Sequence, residues 1–204
     1  MRRILLLTTL AAMMAAALAL SGVAQGAPVG GSADAKCLAE AAKTVEQPGF
    51  NPADYAFHGG TELDNNFDGR ATAGPDVFCG FGGFDVISNL NAGDIFLGGE
   101  GDDGVSTNNG IFFGGEGGDS VDTNSLTGTF NGGAGSDFVD DNIGTFNGEV
   151  GDDTVQTNNG TFNGGAGDDF VGNNIGTFDG GAGSDFVSEG CGPTINVEQV
   201  PPPC

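Results

Sequence analysis

The most constraining feature of this chain is a block of about sixteen residues that recurs in register through its second half. The stretch GGAGSDFV occurs at Gly132 and again at Gly180, and GGAGDDFV occurs at Gly164. With their relatives, the blocks are separated by 16, 18, 16, 16 and 16 residues and begin at Gly98, Gly114, Gly132, Gly148, Gly164 and Gly180. This period predicts a solenoid in which each block forms one coil, because stacked neighbours bury the apolar face that a single block leaves exposed.

Residues at equivalent positions of the blocks form columns. Two columns are apolar: Val105, Val121, Val139, Val155, Val171 and Val187, and Phe96, Phe112, Phe130, Phe146, Phe162 and Phe178. Between them lies an asparagine column: Asn108, Asn124, Asn142, Asn158 and Asn174. Two short strands per coil, separated by two turns, fit these columns. We therefore predict an all-β protein built as a parallel β-roll or β-solenoid.

Glycine, with 40 of the 204 residues, limits the rest of the fold. It lacks the triplet period of collagen, and each helical glycine costs about 1 kcal/mol relative to alanine. One convincing helix remains, Ser32 to Gln47, with Ser32 placed as a cap and Pro48 after its end. This organisation predicts a helical capping segment over 28–79, repeats over 80–195 and a tail over 196–204.

The first 27 residues have the layout of a secretory signal peptide. Arg2 and Arg3 precede an uncharged apolar run, and the small residues of SGVAQGA follow it. We expect cleavage between Ala24 and Ala27 and a secreted protein without stable membrane insertion. A retained membrane anchor is the alternative, because the apolar run is nearly long enough to span a bilayer.

The four cysteines are interpreted with this export in mind, since disulfides persist outside the cytosol. Four cysteines allow three pairings. Cys37 and Cys79 precede the regular repeats, whereas Cys191 and Cys204 lie at or beyond their end. We favour Cys37 with Cys79 and Cys191 with Cys204, which places one disulfide at each end.

The chain is strongly acidic, with 28 Asp and Glu residues against 5 Lys and Arg residues. Such an excess of carboxylates repels nucleic acid and acidic lipid, so cations are the expected partners. No catalytic arrangement is recognised around the single histidine, His58, and a carboxylate repeated in every block indicates architecture and not a catalytic pair. We therefore predict that the protein is not an enzyme.

One aspartate recurs two residues before each apolar valine-like position. The column contains Asp85, from a weaker block at Gly80, followed by Asp103, Asp119, Asp137, Asp153, Asp169 and Asp185. Coils stack about 4.8 Å apart, so ionised aspartates in one file need a positive charge between them. Glycine-rich turns direct carbonyl oxygens inward, and a shell made only of oxygens suits Ca²⁺ better than Mg²⁺ or Zn²⁺.

The blocks resemble the repeats-in-toxin family, also called hemolysin-type calcium-binding repeats, whose unit is G-G-x-G-x-D-x-U-x. GGEGDDGV, GGEGGDSV, GGAGSDFV and GGAGDDFV match this unit, whereas GEVGDDTV has Glu149 for the second glycine. The resemblance implies a parallel β-roll with calcium held between successive turns on one edge. Besides the aspartate column, it implies ligands among the backbone oxygens near Gly101, Gly117, Gly135, Gly151, Gly167 and Gly183. Only one turn per coil carries the motif, and the opposite turn predicts an asparagine ladder without a metal.

Two outward surfaces offer further functions. Ranks of Thr129, Thr145, Thr161 and Thr177 and of Asn131, Asn147, Asn163 and Asp179 are similar to the surface of some ice-binding proteins. The alternative to a structural calcium-binding module is therefore a calcium-dependent ice-binding or surface-adhesion solenoid. On the other sheet, Phe138, Phe170 and Phe186 should also point outward, which suggests self-association or a partner surface.

Overall fold

The structure is a computed structural model that describes residues 32–45 and 50–199. Helix α1 spans Ser32–Thr44, and a short 3-10 helix spans Pro52–Asp54. The strands are β1 Ala56–Gly59, β2 Asn65–Asn66, β3 Asp76–Gly82, β4 Asp85–Leu90, β5 Ile95–Glu100, β6 Gly104–Asn108, β7 Ile111–Glu116, β8 Ser120–Asn124, β9 Thr129–Ala134, β10 Phe138–Asn142, β11 Thr145–Val150, β12 Thr154–Asn158, β13 Thr161–Ala166, β14 Phe170–Asn174, β15 Thr177–Ala182, β16 Phe186–Gly190 and β17 Thr194–Ile195.

The strands form two parallel sheets that face each other around one core. Within the described residues, the odd-numbered strands make a nine-stranded sheet, here the odd sheet, and the even-numbered strands make an eight-stranded one, the even sheet. Each strand pairs with the strand two places later, so Val139 lies opposite Val155 and Phe146 opposite Phe162. The predicted β-solenoid, with two short strands per coil of about sixteen residues, is confirmed.

The predicted apolar columns form the core between the sheets. Every valine of the first column and every phenylalanine of the second is buried. The phenylalanine rings stack from coil to coil with centroids 4.8–4.9 Å apart, which is the spacing of the strands themselves. Phe67 and Phe78 extend the two columns toward the N-terminus. The core is therefore two continuous apolar files that run the length of the solenoid.

The solenoid begins earlier than the boundary at residue 80 that the repeats predicted. β1 pairs with β3, and β2 pairs with β4, so the sheets start at Ala56. The segment GGTELD from Gly59, an eroded block that lacks the full motif, keeps its place in the stack, because Asn65 lies opposite Asp85. The predicted tail also contributes, since Val197 packs against the core and Gln199 bridges to Phe186.

Helix α1 covers the outer face of the odd sheet over the first coils. It buries Cys37 and Ala41 against Val77, Ile95 and Leu97. The predicted disulfide between Cys37 and Cys79 is confirmed, with Cα atoms 5.5 Å apart. The helix ends at Thr44, three residues before the predicted Gln47, and residues 46–49 lie outside the described ranges.

Two predictions fall on chain ends that the structure does not describe. Cys191 is disulfide-bonded, but its predicted partner Cys204 lies outside the described residues. The predicted signal peptide, 1–27, lies outside them as well. Among the residues that are described, no helix combines the length and the apolar character needed to cross a membrane.

Two residues other than glycine occupy the second glycine position of the turn with left-handed backbone. Phe81 and Glu149 both have φ of 78°, where the other coils place glycines such as Gly133 and Gly165. Phe81 packs under Lys36, whose Nζ lies 4.7 Å from its ring centroid. Glu149 is exposed and has no comparable packing. Its side chain therefore strains the turn without adding to the core.

Replacing Glu149 by glycine should raise the free energy of unfolding by about 1 kcal/mol, because a side chain at positive φ costs roughly 1–2 kcal/mol. Urea denaturation would measure the change. Val150→Ala is the matched control, since the neighbouring coils carry Ala134 and Ala166 at that position. The control should change stability by less than about 0.5 kcal/mol. Equal or lower stability of Glu149→Gly would contradict the strain.

Candidate metal centre

The predicted aspartate column forms one buried file along an edge of the solenoid. Each aspartate ends the glycine-rich turn that leads from an odd strand to an even strand, and the turn directs its carboxyl inward. All members of the column are at most 2% exposed: Asp85, Asp103, Asp119, Asp137, Asp153, Asp169 and Asp185. Buried carboxylates on this scale are unusual, because a charge removed from water needs a compensating partner.

One carboxyl oxygen of each aspartate is satisfied by the backbone of the preceding coil. The N–H of Asp103 donates to Oδ1 of Asp119 at 2.7 Å, and the N–H of Asp119 donates to Oδ1 of Asp137 at 2.8 Å. The same bond joins every consecutive pair from Asp85 to Asp185, at 2.7–2.9 Å. The file is therefore a continuous hydrogen-bond ladder with a fixed direction.

The ladder is closed at both ends by residues that the sequence analysis did not identify. At the N-terminal end, the backbone N–H and the side-chain amide of Asn65 both donate to Oδ1 of Asp85, each at 2.7 Å. At the C-terminal end, the N–H of Asp185 donates to a carboxyl oxygen of Glu198 at 2.8 Å. The eroded block near Gly59 was the only sequence feature that could have indicated Asn65, and Glu198 belongs to no motif.

The other carboxyl oxygen, Oδ2, is buried and has no hydrogen-bond partner at any of the seven aspartates. It lies against the first glycine of its own turn. A Cβ built on Gly114 would overlap Oδ2 of Asp119 and would lie 2.5 Å from the carbonyl oxygen of Gly132. The same overlap recurs at Gly80, Gly98, Gly132, Gly148, Gly164 and Gly180. Each first glycine thus leaves a slot into which one carboxyl oxygen and one main-chain carbonyl face.

The glycines that the resemblance nominated as ligands lie elsewhere in the turn. The third glycines of the blocks, at the fourth position of the unit, face one another along the stack, since a Cβ on Gly117 would overlap the carbonyl oxygen of Gly101. Their N–H groups donate to carbonyls of the next coil, as Gly101 does to Glu116 at 2.7 Å. The same placement holds for Gly135, Gly151, Gly167 and Gly183. In six of the seven slots the carbonyl beside Oδ2 belongs to the first glycine of the next coil, and beside Asp185 it belongs to Asn196. The sequence analysis did not nominate these first glycines, although every block keeps them.

Burial raises the pKa of the carboxyls in the column. Loss of hydration is the largest cause at each residue, and it outweighs the backbone N–H bond that lowers the pKa. The pKa rises to about 8 at Asp103 and Asp153, to about 7 at Asp119 and Asp169, and to about 6 at Asp137. The pKa values of Asp85 and Asp185 are also raised. Near neutral pH a cation at Oδ2, either H⁺ or a metal ion, therefore stabilises the buried column by neutralising its charge.

The donor set fits a hard divalent cation such as Ca²⁺ in its chemistry. Oδ2 oxygens and first-glycine carbonyls are oxygen ligands, and calcium takes six to eight of them. Among the described residues, no three His, Cys, Asp or Glu side chains converge as a metal-binding group. Main-chain carbonyls would therefore have to supply most of the shell, with one carboxyl oxygen per coil.

The opposite turn carries the predicted asparagine ladder, which is confirmed. The side-chain amide of Asn142 donates to Oδ1 of Asn158 at 2.8 Å and to the carbonyl of Thr161 at 3.0 Å. Asn108, Asn124 and Asn158 repeat the pattern, and the column is buried. Neutral amides both donate and accept, so the asparagine side chains of this edge satisfy one another within the protein.

A second acidic network lies at the N-terminal end and was not expected. His58 Nε2 lies 2.8 Å from Oδ1 of the buried Asp76, whose N–H donates to Oδ1 of Asp94 at 3.0 Å. The other oxygen of Asp76 accepts from the N–H of Thr72 at 2.7 Å. His58 also stacks on Phe78. This histidine is therefore part of the packing of the first coil.

Comparison with known proteins identifies no relative of this chain. No family model matches the chain, and neither the curated proteins nor the solved structures contain a match to it.

Proposed function

We propose that this protein is a secreted calcium-binding β-roll that needs calcium to fold and serves as a structural or binding module outside the cell. The observation that carries the proposal is the file of seven buried carboxyls, each with one unpartnered oxygen. The resemblance of the turns to hemolysin-type calcium-binding repeats and the signal-like segment 1–27 support it from the sequence.

From β3 onward, the coils contain no cationic side chain that could neutralise this file. No Lys, Arg or His follows Arg70 in the chain. The two described lysines pair instead with Glu62 and Glu40 in the capping region. An ionised carboxylate buried without a partner costs several kcal/mol, so the ionised column requires an external cation.

Seven aspartates enclose six gaps between successive coils, which sets an upper limit of about six ions if each ion bridges one gap. We expect calorimetric titration of calcium-free protein at pH 7.5 to give several ions per chain, with folding coupled to binding. No heat of binding, or full strand signal in circular dichroism before calcium is added, would refute the proposal.

An asparagine substitution separates metal binding from folding. Asp137→Asn keeps the Oδ1 acceptor and replaces Oδ2 by an amide donor, and the native Asn65 shows that the head of the ladder accommodates an asparagine side chain. We expect the variant to bind fewer calcium ions and to be more stable than the parent in chelator. Asp122→Asn, an exposed position on the even sheet, is the matched control and should leave the stoichiometry unchanged.

The threonine and asparagine ranks of the odd sheet support a second candidate, an ice-binding or adhesion surface. Thr129, Thr145, Thr161 and Thr177 lie opposite one another in register. The neighbouring amides are held by a ladder, in which Asn147 donates to Asn131 at 2.8 Å and Asn163 donates to Asn147 at 2.7 Å. Thermal hysteresis of calcium-loaded protein, lost in Thr145→Asp, is the expected result for this candidate, and absence of hysteresis would exclude ice binding.

A further inference from the structure

The outer face of the even sheet carries an aromatic stripe formed by Phe138, Phe170 and Phe186. The register places Phe138 opposite Thr154, Thr154 opposite Phe170, and Phe170 opposite Phe186, so the rings share one line. The rings of Phe170 and Phe186 stack with centroids 5.6 Å apart. Phe186 is 37% exposed, and the other two are half-buried. Three coil spacings give the stripe a length of about 14 Å.

The fold does not require aromatic residues at these positions. The same column holds Gly104 and Ser120 in earlier coils and Thr154 within the stripe. The valines next to them in the strands already fill the core and are fully buried. Large apolar side chains that remain accessible and contribute nothing to the core indicate a binding surface.

Carboxylates border the stripe on both sides. Asp140 lies two residues after Phe138 on the same face of β10, and Glu189 is exposed near the end of β16. On the turn side, Asp168 is exposed, with one oxygen accepting the N–H of Ser184 at 2.8 Å. Since no basic residue follows Arg70, these charges find no cationic side chain within the coils. The face is therefore an apolar line flanked by negative charge.

We propose that this face binds a cationic amphipathic segment of a partner protein. Apolar side chains on one side of the segment would lie along Phe138, Phe170 and Phe186. Lys or Arg side chains at its margins would pair with Asp140, Asp168 and Glu189. A helix rises 5.4 Å per turn, so about 14 Å of stripe accommodates the apolar residues of two to three turns.

Charge complementarity decides the occupant. A second copy of this chain would bring Asp140 and Glu189 toward carboxylates of the same sign, and like charges in an interface oppose association. A positively charged segment removes that repulsion and uses both features of the face. The apolar line then provides affinity, and the carboxylates select the sign of the partner and speed the encounter.

The test uses the full chain in saturating calcium and a synthetic helix of about fifteen residues with Leu on one face and Lys on the other. Fluorescence anisotropy at increasing salt measures the affinity. In Phe138→Ser/Phe170→Ser/Phe186→Ser, which copies the native Ser120, we expect the Kd to rise at least tenfold. Asp140→Asn/Glu189→Gln should raise it about fivefold at low salt and less at high salt. Thr145→Ser/Thr161→Ser on the opposite sheet is the control and should not change it.

Three results would overturn the proposal. The first is an absence of binding at millimolar peptide while circular dichroism shows the strands formed. The second is equal affinity for a Ser/Lys peptide of the same charge, or unchanged affinity in the triple serine variant, since either shows that charge alone attracts the peptide. The third is a dimer in light scattering that the triple variant abolishes, which makes the second copy the occupant. These three results can be told apart from a failure of calcium binding, because circular dichroism verifies the fold separately.

Discussion

In calcium-free buffer, the coils are expected to stay folded at pH 4 and to unfold as the pH rises toward 8. The cause is the aspartate column, whose pKa values rise from 3.8 to about 8 at Asp103 and Asp153. Between these values the folded state keeps protons that the unfolded state has released. Stability therefore falls as the pH rises through this window, and the loss is complete above the folded pKa values. Most proteins show the opposite trend, because their paired carboxylates have lowered pKa values.

Under the proposed function, calcium at millimolar concentration should abolish this pH dependence at pH 7 to 8, because the ion would replace the protons at Oδ2. Circular dichroism in the strand region from pH 4 to pH 8, with and without calcium, measures both effects. Asp137→Asn/Asp153→Asn removes two of the titrating groups and should shift the unfolding transition of the calcium-free protein to higher pH. A calcium-free protein that remains folded at pH 8, or one that unfolds on acidification, would show that the column does not control stability.

The second large effect is expected from a single methyl group in the glycine slot. In Gly114→Ala the new Cβ would overlap Oδ2 of Asp119 and crowd the carbonyl of Gly132, so either the carboxyl leaves the slot or the coils separate. We expect a loss of about 3 kcal/mol of stability. Under the proposed function, at least one bound calcium ion should be lost with it. Denaturant unfolding and calcium titration of the same variant measure the two losses.

The same turn offers the control. Gly118 lies four residues later at a position where other coils carry Asp102, Ser136 or Asp168, and a Cβ there would approach no atom closer than 3.1 Å. Gly118→Ser should therefore change stability by less than about 0.5 kcal/mol and leave calcium binding intact. If Gly114→Ala behaves like Gly118→Ser, the slot is not needed to hold the carboxyl.

Much of the fold could be predicted because the same sequence block recurs in several coils, so each structural position is seen many times. The valine and phenylalanine columns predicted the core, and the asparagine column predicted the ladder that the structure contains. The Cys37–Cys79 disulfide also followed from the position of the cysteines outside the regular repeats. Columns of this kind predict contacts correctly because each residue stacks on its equivalent in the next coil. Residues one period apart in the sequence are therefore neighbours in space.

The candidate site was only half predictable. The sequence identified the aspartate column, and the resemblance nominated backbone oxygens near the Gly101 column, which stays a prediction. The carbonyls of Gly98 and its equivalents, which lie beside Oδ2 in the structure, were not nominated. Both glycine columns recur in the sequence, and only the tertiary structure distinguishes them. A Cβ in the Gly98 column would meet a carboxyl oxygen, whereas a Cβ in the Gly101 column would meet a backbone carbonyl. Asn65 and Glu198, which close the ladder, could not be predicted from the repeat, because neither belongs to an intact block.

The sequence by itself determined the period, the residues of the core and the concentration of negative charge on one edge of the solenoid. Only the tertiary structure decided that the sheets begin at Ala56, and that Oδ1 of each aspartate is satisfied by a neighbouring coil while Oδ2 is not. The reason is physical. Composition and spacing specify which groups stack, whereas hydrogen bonding and desolvation depend on the direction in which each carboxyl points, and that direction is set by backbone sixteen to twenty residues away.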